Sequence, residues 1–236
     1  MPAIPADPYP WPYDGNLRPE NTALVIIDMQ TDFCGKGGYV DAMGYDLSLT
    51  RAPIAPIRAM LERARASGYY VIHTREGHRP DLSDLPANKR WRSRKIGAGI
   101  GDAGPCGRIL VRGEPGWEII PELAPLPGEP VIDKPGKGSF YATGLDGTLR
   151  ERGITSLVVT GVTTEVCVHT TVREANDRGY ECLVLADCVG SYFPEFQRSG
   201  LAMIAAQGGI FGWVAPSESF LQALQSTVTP AVVPVS

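Results

Sequence analysis

The sequence predicts a three-layer α/β/α domain around a parallel sheet of about six strands, and three observations carry that expectation. Residues 22–29, Thr-Ala-Leu-Val-Ile-Ile-Asp-Met, form a continuous apolar run of strand length that includes one carboxylate, Asp28. Apolar residues on both faces suit a strand covered by helices above and below, as in a parallel sheet. From residue 130 onward, short β-branched runs alternate with segments of helical period, the pattern of successive βα units in a single domain. Finally, 236 residues suffice for one large core without help from disulfides or metal.

Residues 1–20, rich in Pro, Tyr and Trp, lack any period of 2 or 3.6 and read as an extended arm with its aromatics laid on a neighbouring surface. The domain itself is expected over 21–225. After the first strand, Ile54, Ile57, Leu61 and Ala64 recur at helical spacing and Gly68 stops that helix. A strand is expected over 69–74. Residues 75–128 are rich in Gly, Pro, Arg and Asp with weak apolar periodicity, so they read as one long functional loop. Strands are then expected over 130–134, 157–161, 182–187 and 211–214, and helices over 145–152, 165–178, 195–207 and 217–224. Residues 226–236 read as a tail, and no internal repeat is visible.

Composition excludes several classes. With 22 Lys+Arg against 26 Asp+Glu the formal net charge is −4, the wrong sign for a nucleic-acid footprint. No apolar run reaches the ~18 residues that a membrane helix needs. The N-terminal residues have neither a basic start nor an apolar stretch, so no secretory signal is expected. Five cysteines, an odd number, fit a reducing compartment, and a cytoplasmic location is expected.

Ligands of open parallel sheets sit outside the carboxyl ends of the strands. Three polar residues stand there: Asp28, Lys134 and Cys167. Each has a bland reading. A lone Asp can cap a helix, a lone Lys can lie solvated in a turn, and most cysteines are small buried hydrophobes. Cys167, however, falls in the first turn of an expected helix, where unpaired amides favour a thiolate and can serve as an oxyanion hole. Together the three make a nucleophilic set: a thiol, a carboxylate to take its proton and an ammonium to hold the charge. His73, His78 and His169 leave Cys–His chemistry formally open, but His169 follows Cys167 by two residues, points elsewhere on a helix and reads as packing.

Other signals are weak. Gly97-Ala98-Gly99-Ile100-Gly101 lacks both a preceding strand and the last glycine of a dinucleotide loop, and Gly136-Lys137-Gly138-Ser139 lacks the first glycine of a phosphate loop. Arg90, Arg92, Arg94 and Lys95 read as a solvated basic loop. Cys182 and Cys188 flank a strand and are expected to pack, Cys106 falls in a loop, and Cys34 follows Asp28 closely enough to approach a pocket.

The motifs around these residues resemble the isochorismatase-like cysteine hydrolases. Leu24-Val25-Ile26-Ile27-Asp28-Met29-Gln30-Thr31-Asp32-Phe33 is similar to the opening signature of that family. Gly161-Val162-Thr163-Thr164-Glu165-Val166-Cys167-Val168 is similar to its nucleophile motif, and Lys134 with Ser139-Phe140 to the lysine segment between them. The likeness runs from about residue 20 to 224. Within the superfamily, 75–82, 88–93 and 206–209 resemble the biuret and triuret hydrolases. The resemblance implies a Rossmann-like fold, a catalytic triad of Asp28, Lys134 and Cys167, and a cis peptide between Val162 and Thr163. It also implies an oxyanion hole from the amides of Thr163 and Cys167 and a substrate-holding glutamine at Gln207. Phe33 and Phe140 are plausible stacking faces for a planar urea derivative.

The activity implied by the resemblance is that of an amidohydrolase releasing ammonia from a small linear urea derivative, biuret before triuret. It would need no cofactor and would assemble as a homo-oligomer, a tetramer by analogy. Nicotinamidase-like members hold a metal with an Asp-x-His pair and a further histidine. Here Glu76-Gly77-His78 occupies that stretch without a suitable third ligand, so no metal site is expected; Glu76 and His78 are expected to pair with each other or with an arginine. Residues 191–196 depart from the biuret hydrolase pattern, which leaves ureidoacrylate or N-carbamoyl sarcosine as alternative substrates. A partner-binding module is the alternative outside enzymes.

Overall fold

A computed structural model describes residues 3–225. The tail expected over 226–236 lies outside the described residues. In chain order the elements are β1 (Thr22–Ile27), α1 (Thr31–Cys34), α2 (Tyr39–Ala42), α3 (Leu47–Arg51), α4 (Ile54–Ala66), β2 (Tyr70–Glu76), α5 (Ala87–Lys95) and a two-residue hairpin, β3 (Ala103–Gly104) with β4 (Gly107–Arg108). They continue with β5 (Val131–Lys134), α6 (Leu145–Glu151), β6 (Ser156–Val162), α7 (His169–Asn176), β7 (Glu181–Gly190), α8 (Pro194–Gly209), β8 (Trp213–Ala215) and α9 (Ser217–Gln225).

Six strands form one sheet in the order β5-β2-β1-β6-β7-β8, all pairs parallel. The chain starts in the middle, builds outward through β2 and β5, then returns to the other side of β1 for β6, β7 and β8. β1 is therefore the switch point, and the crevice outside its carboxyl end is where a ligand of such a sheet sits.

The period of 2 along each strand divides the core into two clusters. Leu24 and Ile26 of β1, Val158 of β6 and Leu183 and Leu185 of β7 face one side, with Ile57, Met60 and Leu61 of α4 and Phe220 of α9. Ala23, Val25 and Ile27, Leu157 and Val159, and Val184 face the other, with Leu145 and Leu149 of α6 and Val172 and Ala175 of α7. A strand with both faces buried must be apolar throughout, and all six residues of β1 are buried.

The arm lies on the domain's own edge. Asp7 pairs antiparallel with Val214 of β8, and Ile4, Trp11 and Leu17 are fully buried in the first cluster. The short edge strand is thereby covered, which removes a template for unwanted pairing. The region expected as one loop, 75–128, holds α5, the hairpin and two single 3₁₀ turns. The basic residues Arg90, Arg92, Arg94 and Lys95 thus belong to a helix rather than a loop. The helix expected over 165–178 is split: a π-helical turn spans Thr164–Val168 and α7 follows it. The helix expected to end at Gln207 breaks there, with Ala206 extended and Gln207 left-handed at φ 54°. Among the described residues, no helix is long and apolar enough to cross a membrane.

Candidate active site

The site is built from the carboxyl ends of four adjacent strands. β1 is followed at once by Asp28, which turns the chain with φ +50°, a conformation Asp tolerates better than most residues. Its amide donates to Thr74 O at 3.2 Å, and the Thr74 hydroxyl donates to Asp28 Oδ1 at 2.7 Å. β5 ends at Lys134, whose side chain is fully buried. It is no solvated turn lysine: it donates to Gly136 O at 3.0 Å and Lys137 O at 2.9 Å, and its Nζ lies 2.7 Å from Asp28 Oδ2. β6 ends at Val162, and the Val162–Thr163 peptide is cis. The π-helical turn that follows carries Cys167, and the Thr164 hydroxyl donates to Gln197 Oε1, tying the turn to α8.

β2 supplies a residue for which the sequence suggested no role beside Cys167. Its last residue, Glu76, is fully buried and accepts the Cys167 Sγ–H at 3.4 Å. Lys89 Nζ stands 2.8 Å from Glu76 Oε1, Lys137 Nζ 2.9 Å from the same oxygen, and Lys134 Nζ 3.9 Å from Oε2. Glu76 does not pair with His78, whose Nδ1 lies 3.1 Å from Asp84 Oδ1. One oxygen of Asp28, one of Glu76 and the Cys167 sulfur all lie within 4.8 Å of one another. That donor set does not suit a metal cation, because the ammonium groups of Lys134, Lys89 and Lys137 already face its carboxylates.

The charges explain the protonation states. Burial pushes the Glu76 carboxyl up, but Lys137, Lys134 and Lys89 outweigh it and hold the group well below the usual carboxylate range. Burial opposes the charge on Lys134 too, and Asp28, Cys167 and Glu76 overcome it, leaving the ammonium more firmly protonated than an exposed lysine. For Cys167 burial wins: with Asp28 and Glu76 adding to it, the thiol sits well above its ordinary value despite Lys134 and Lys137. The helix-start effect expected from the sequence is thus outweighed, and the resting group is a thiol. Three ammonium groups against two carboxylates leave one positive charge in excess, which a thiolate would balance.

Cys167 opens onto a cavity of about 210 Å³. Its polar wall holds Glu76, Lys137, Thr163 and Glu165, and its apolar wall holds Phe33, Tyr39, Val40, Met43, Tyr45 and Tyr192 among others. The Tyr192 hydroxyl donates to Phe33 O at 2.6 Å and fixes that wall. Glu165 Oε2 is buried without a hydrogen-bond partner.

Phe33 and Thr163 therefore line the cavity with Cys167, while Asp28 and Lys134 stand behind it. Phe140 does not line it: its ring packs on Tyr180 at 5.6 Å between centroids, and its amide donates to Glu174 Oε2. Gln207 is exposed at the break in α8, outside this cavity. Cys34 is buried and donates to Gln30 O rather than entering the pocket, and Cys182 and Cys188 are packed in the two cores. His169 accepts from Arg173 Nε at 2.9 Å, a packing role. Tyr192 and Phe193 bring the divergent 191–196 segment to the cavity. Glu76, Lys137 and Lys89 had one faint signal: Glu76 stands at the carboxyl end of its strand, as Asp28 stands just past the end of β1.

The chain resembles known proteins over nearly its whole length. It is 36% identical over 235 residues to the ureidoacrylate amidohydrolase RutB of Stutzerimonas stutzeri (strain A1501), covering 97% of this chain and 91% of that protein. A cysteine hydrolase from Pseudomonas syringae pv. phaseolicola 1448A superposes with TM-score 0.76 at 28% identity, covering 96% of this chain and 98% of its own. The N-carbamoylsarcosine amidase of Thermoplasma acidophilum superposes with TM-score 0.65 at 25% identity, covering 84% and 97%. The Isochorismatase domain family matches residues 22–219. With that match spanning the sheet and every residue around the thiol, the chain belongs to the isochorismatase family.

Proposed function

We propose that this chain is a cysteine-dependent amidohydrolase that cleaves a C–N bond of a small linear urea derivative and releases ammonia. The observation that carries the reading is the buried constellation itself. A thiol, a carboxylate and an ammonium from three distant stretches of sequence meet within a few ångströms at the edge of a cavity. Such a set performs acyl transfer without further groups.

Cys167 Sγ attacks the terminal carbonyl carbon as its proton passes to the Asp28 carboxylate. The carbonyl electrons move onto oxygen, and the amides of Thr163 and Cys167 stabilise that oxyanion; losing one such donor typically costs ~2.7–4 kcal/mol. Collapse expels the nitrogen, which takes the proton from Asp28 and leaves as ammonia. A water then gives its proton to Asp28 and attacks the thioester, and the sulfur recovers a proton as the acid departs. Lys134, ion-paired to Asp28 at 2.7 Å, holds that side chain in place throughout.

Biuret, cleaved to allophanate, is the first substrate proposed. The unpartnered oxygen of Glu165 supports it, since a planar molecule lined with N–H groups offers donors to an acceptor-only carboxylate. The second reading is an N-carbamoyl or ureidoacrylate substrate. The names of the two amidohydrolase relatives and the apolar wall of the cavity favour it, because such compounds carry a carbon skeleton to bury. Ammonia release from biuret, triuret, ureidoacrylate, N-carbamoyl sarcosine and nicotinamide tests the proposal. Turnover of a ureido compound is expected, and release from none of the first four would overturn it.

A further inference from the structure

We propose that Glu76 is a positioning residue that holds the Cys167 thiol hydrogen in the resting protein and surrenders it when substrate enters. Hydrogen-bond distances carry this. The thiol donates to Glu76 Oε2 at 3.4 Å, an oxygen that also accepts from Lys137 Nζ at 3.1 Å, and makes no hydrogen bond to Asp28, whose Oδ1 accepts from the Thr74 hydroxyl and whose Oδ2 is ion-paired with Lys134 Nζ, each at 2.7 Å.

Location adds a direction. Glu76 lines the cavity and Asp28 does not. A substrate N–H that approaches Glu76 Oε2 competes with the S–H for the same acceptor. The displaced hydrogen turns about the Cβ–Sγ bond towards Asp28, whose carboxylate takes the proton as sulfur attacks. The proton moves from sulfur to a carboxylate oxygen and no other bond to Glu76 changes. Glu76 is itself a poor final acceptor, because three ammonium groups hold its charge. The same contacts make it the anchor of Lys89 from α5 and of Lys137 in the polar wall.

The charged and titratable groups around the thiol are Asp28 and Lys134 behind it, Glu76 and Lys137 beside it and Lys89 beyond Glu76. Glu165 lies in its own turn, and the phenols of Tyr39 and Tyr192 are across the cavity. Replacing Glu76 by an amide removes an anion that faces three lysines, of which Lys134 alone keeps an anionic partner in Asp28, so ionisation of Cys167 becomes easier. Replacing Lys137 has the opposite effect.

Alkylation of Cys167 by iodoacetamide in the full-length protein, followed by peptide mapping from pH 6 to 9 without substrate, reads this directly. Mapping separates Cys167 from the half-buried Cys106. In Glu76→Gln the rate at pH 7 is expected to rise about tenfold or more, the thiolate gain for one pKa unit, while ammonia release falls. In Lys137→Gln, whose side chain is 44% exposed and whose replacement is expected to leave the thermal midpoint near that of the native chain, alkylation is expected to slow several-fold. A loosened pocket would speed both. Unchanged or slower alkylation in Glu76→Gln, or no slowing in Lys137→Gln, overturns the proposal. Because alkylation needs no substrate, an error about the substrate would leave this result standing.

Discussion

Lys134 Nζ and Asp28 Oδ2 form a 2.7 Å ion pair in which neither side chain reaches water. Removing one partner from such a pair strands a buried charge and costs about 3–5 kcal/mol, whereas removing both costs much less. Asp28→Asn and Lys134→Met are each expected to lower the thermal midpoint strongly, and the double variant to lose less than the two losses combined. Additive midpoints would show that the two groups do not compensate each other.

Gly161 brings β6 against β1 just before the π-helical turn that carries Cys167. It has φ +110°, and a Cβ there would stand 2.0 Å from Ile27 O. No side chain can yield to relieve that clash, because the obstacle is backbone. Gly161→Ala is expected to destabilise by more than the ~1–3 kcal/mol of a strained backbone position, measured by denaturant unfolding. A loss below that range would mean the two strands can separate at this point.

Glu181 gives a pH signature away from the site. Burial, with Asp14 nearby, raises its carboxyl to about 7, and its Oε2 has no hydrogen-bond partner. A folded value above the unfolded one means the folded state prefers the protonated form. The charged form therefore penalises the fold at pH above about 7, and the penalty fades as pH falls towards the ordinary carboxylate range. Glu181→Gln is expected to raise the thermal midpoint at pH 8 and to leave it unchanged near pH 4.5. An equal gain at both pH values would contradict this.

Glu165 lines the cavity with one buried, unpartnered oxygen, which the proposed function uses to accept a substrate N–H. A hydrogen bond to a charged group contributes about 1.5–3 kcal/mol, so Glu165→Gln is expected to raise KM for biuret roughly tenfold or more with a smaller change in kcat. Steady-state kinetics check it, and an unchanged KM would remove Glu165 from substrate recognition.

The sheet was legible because burial on both faces leaves an unmistakable mark: in 22–27 every residue but Thr22 is apolar, and all are buried. Asp28, Lys134 and Cys167 were legible as candidates because all three fall at or just beyond the carboxyl ends of expected strands, where ligands of a parallel sheet sit, and because a thiol, a carboxylate and an ammonium make a chemically coherent set. Helix α5 was not. It buries none of its residues, so no apolar stripe betrays it; it is held instead by Lys89, which reaches Glu76 and Pro135 O at 2.8 Å. Glu76 was hidden by the same physics. Within His73-Thr74-Arg75-Glu76 it is one polar residue among several, and its partners arrive from α5 and from the turn after β5 only once the sheet is assembled. The break at Gln207 was hidden because the two glycines after it read as a stop, not as a turn beginning two residues earlier.

The most direct test of the nucleophile is ammonia release by Cys167→Ser, compared with the native chain on the best substrate of the panel and at matched thermal midpoint. Serine keeps the shape of the side chain but is far harder to ionise. Turnover is expected to fall roughly 10³-fold or more, in line with removal of a nucleophile elsewhere. Near-normal ammonia release from the folded variant would contradict the assignment of Cys167.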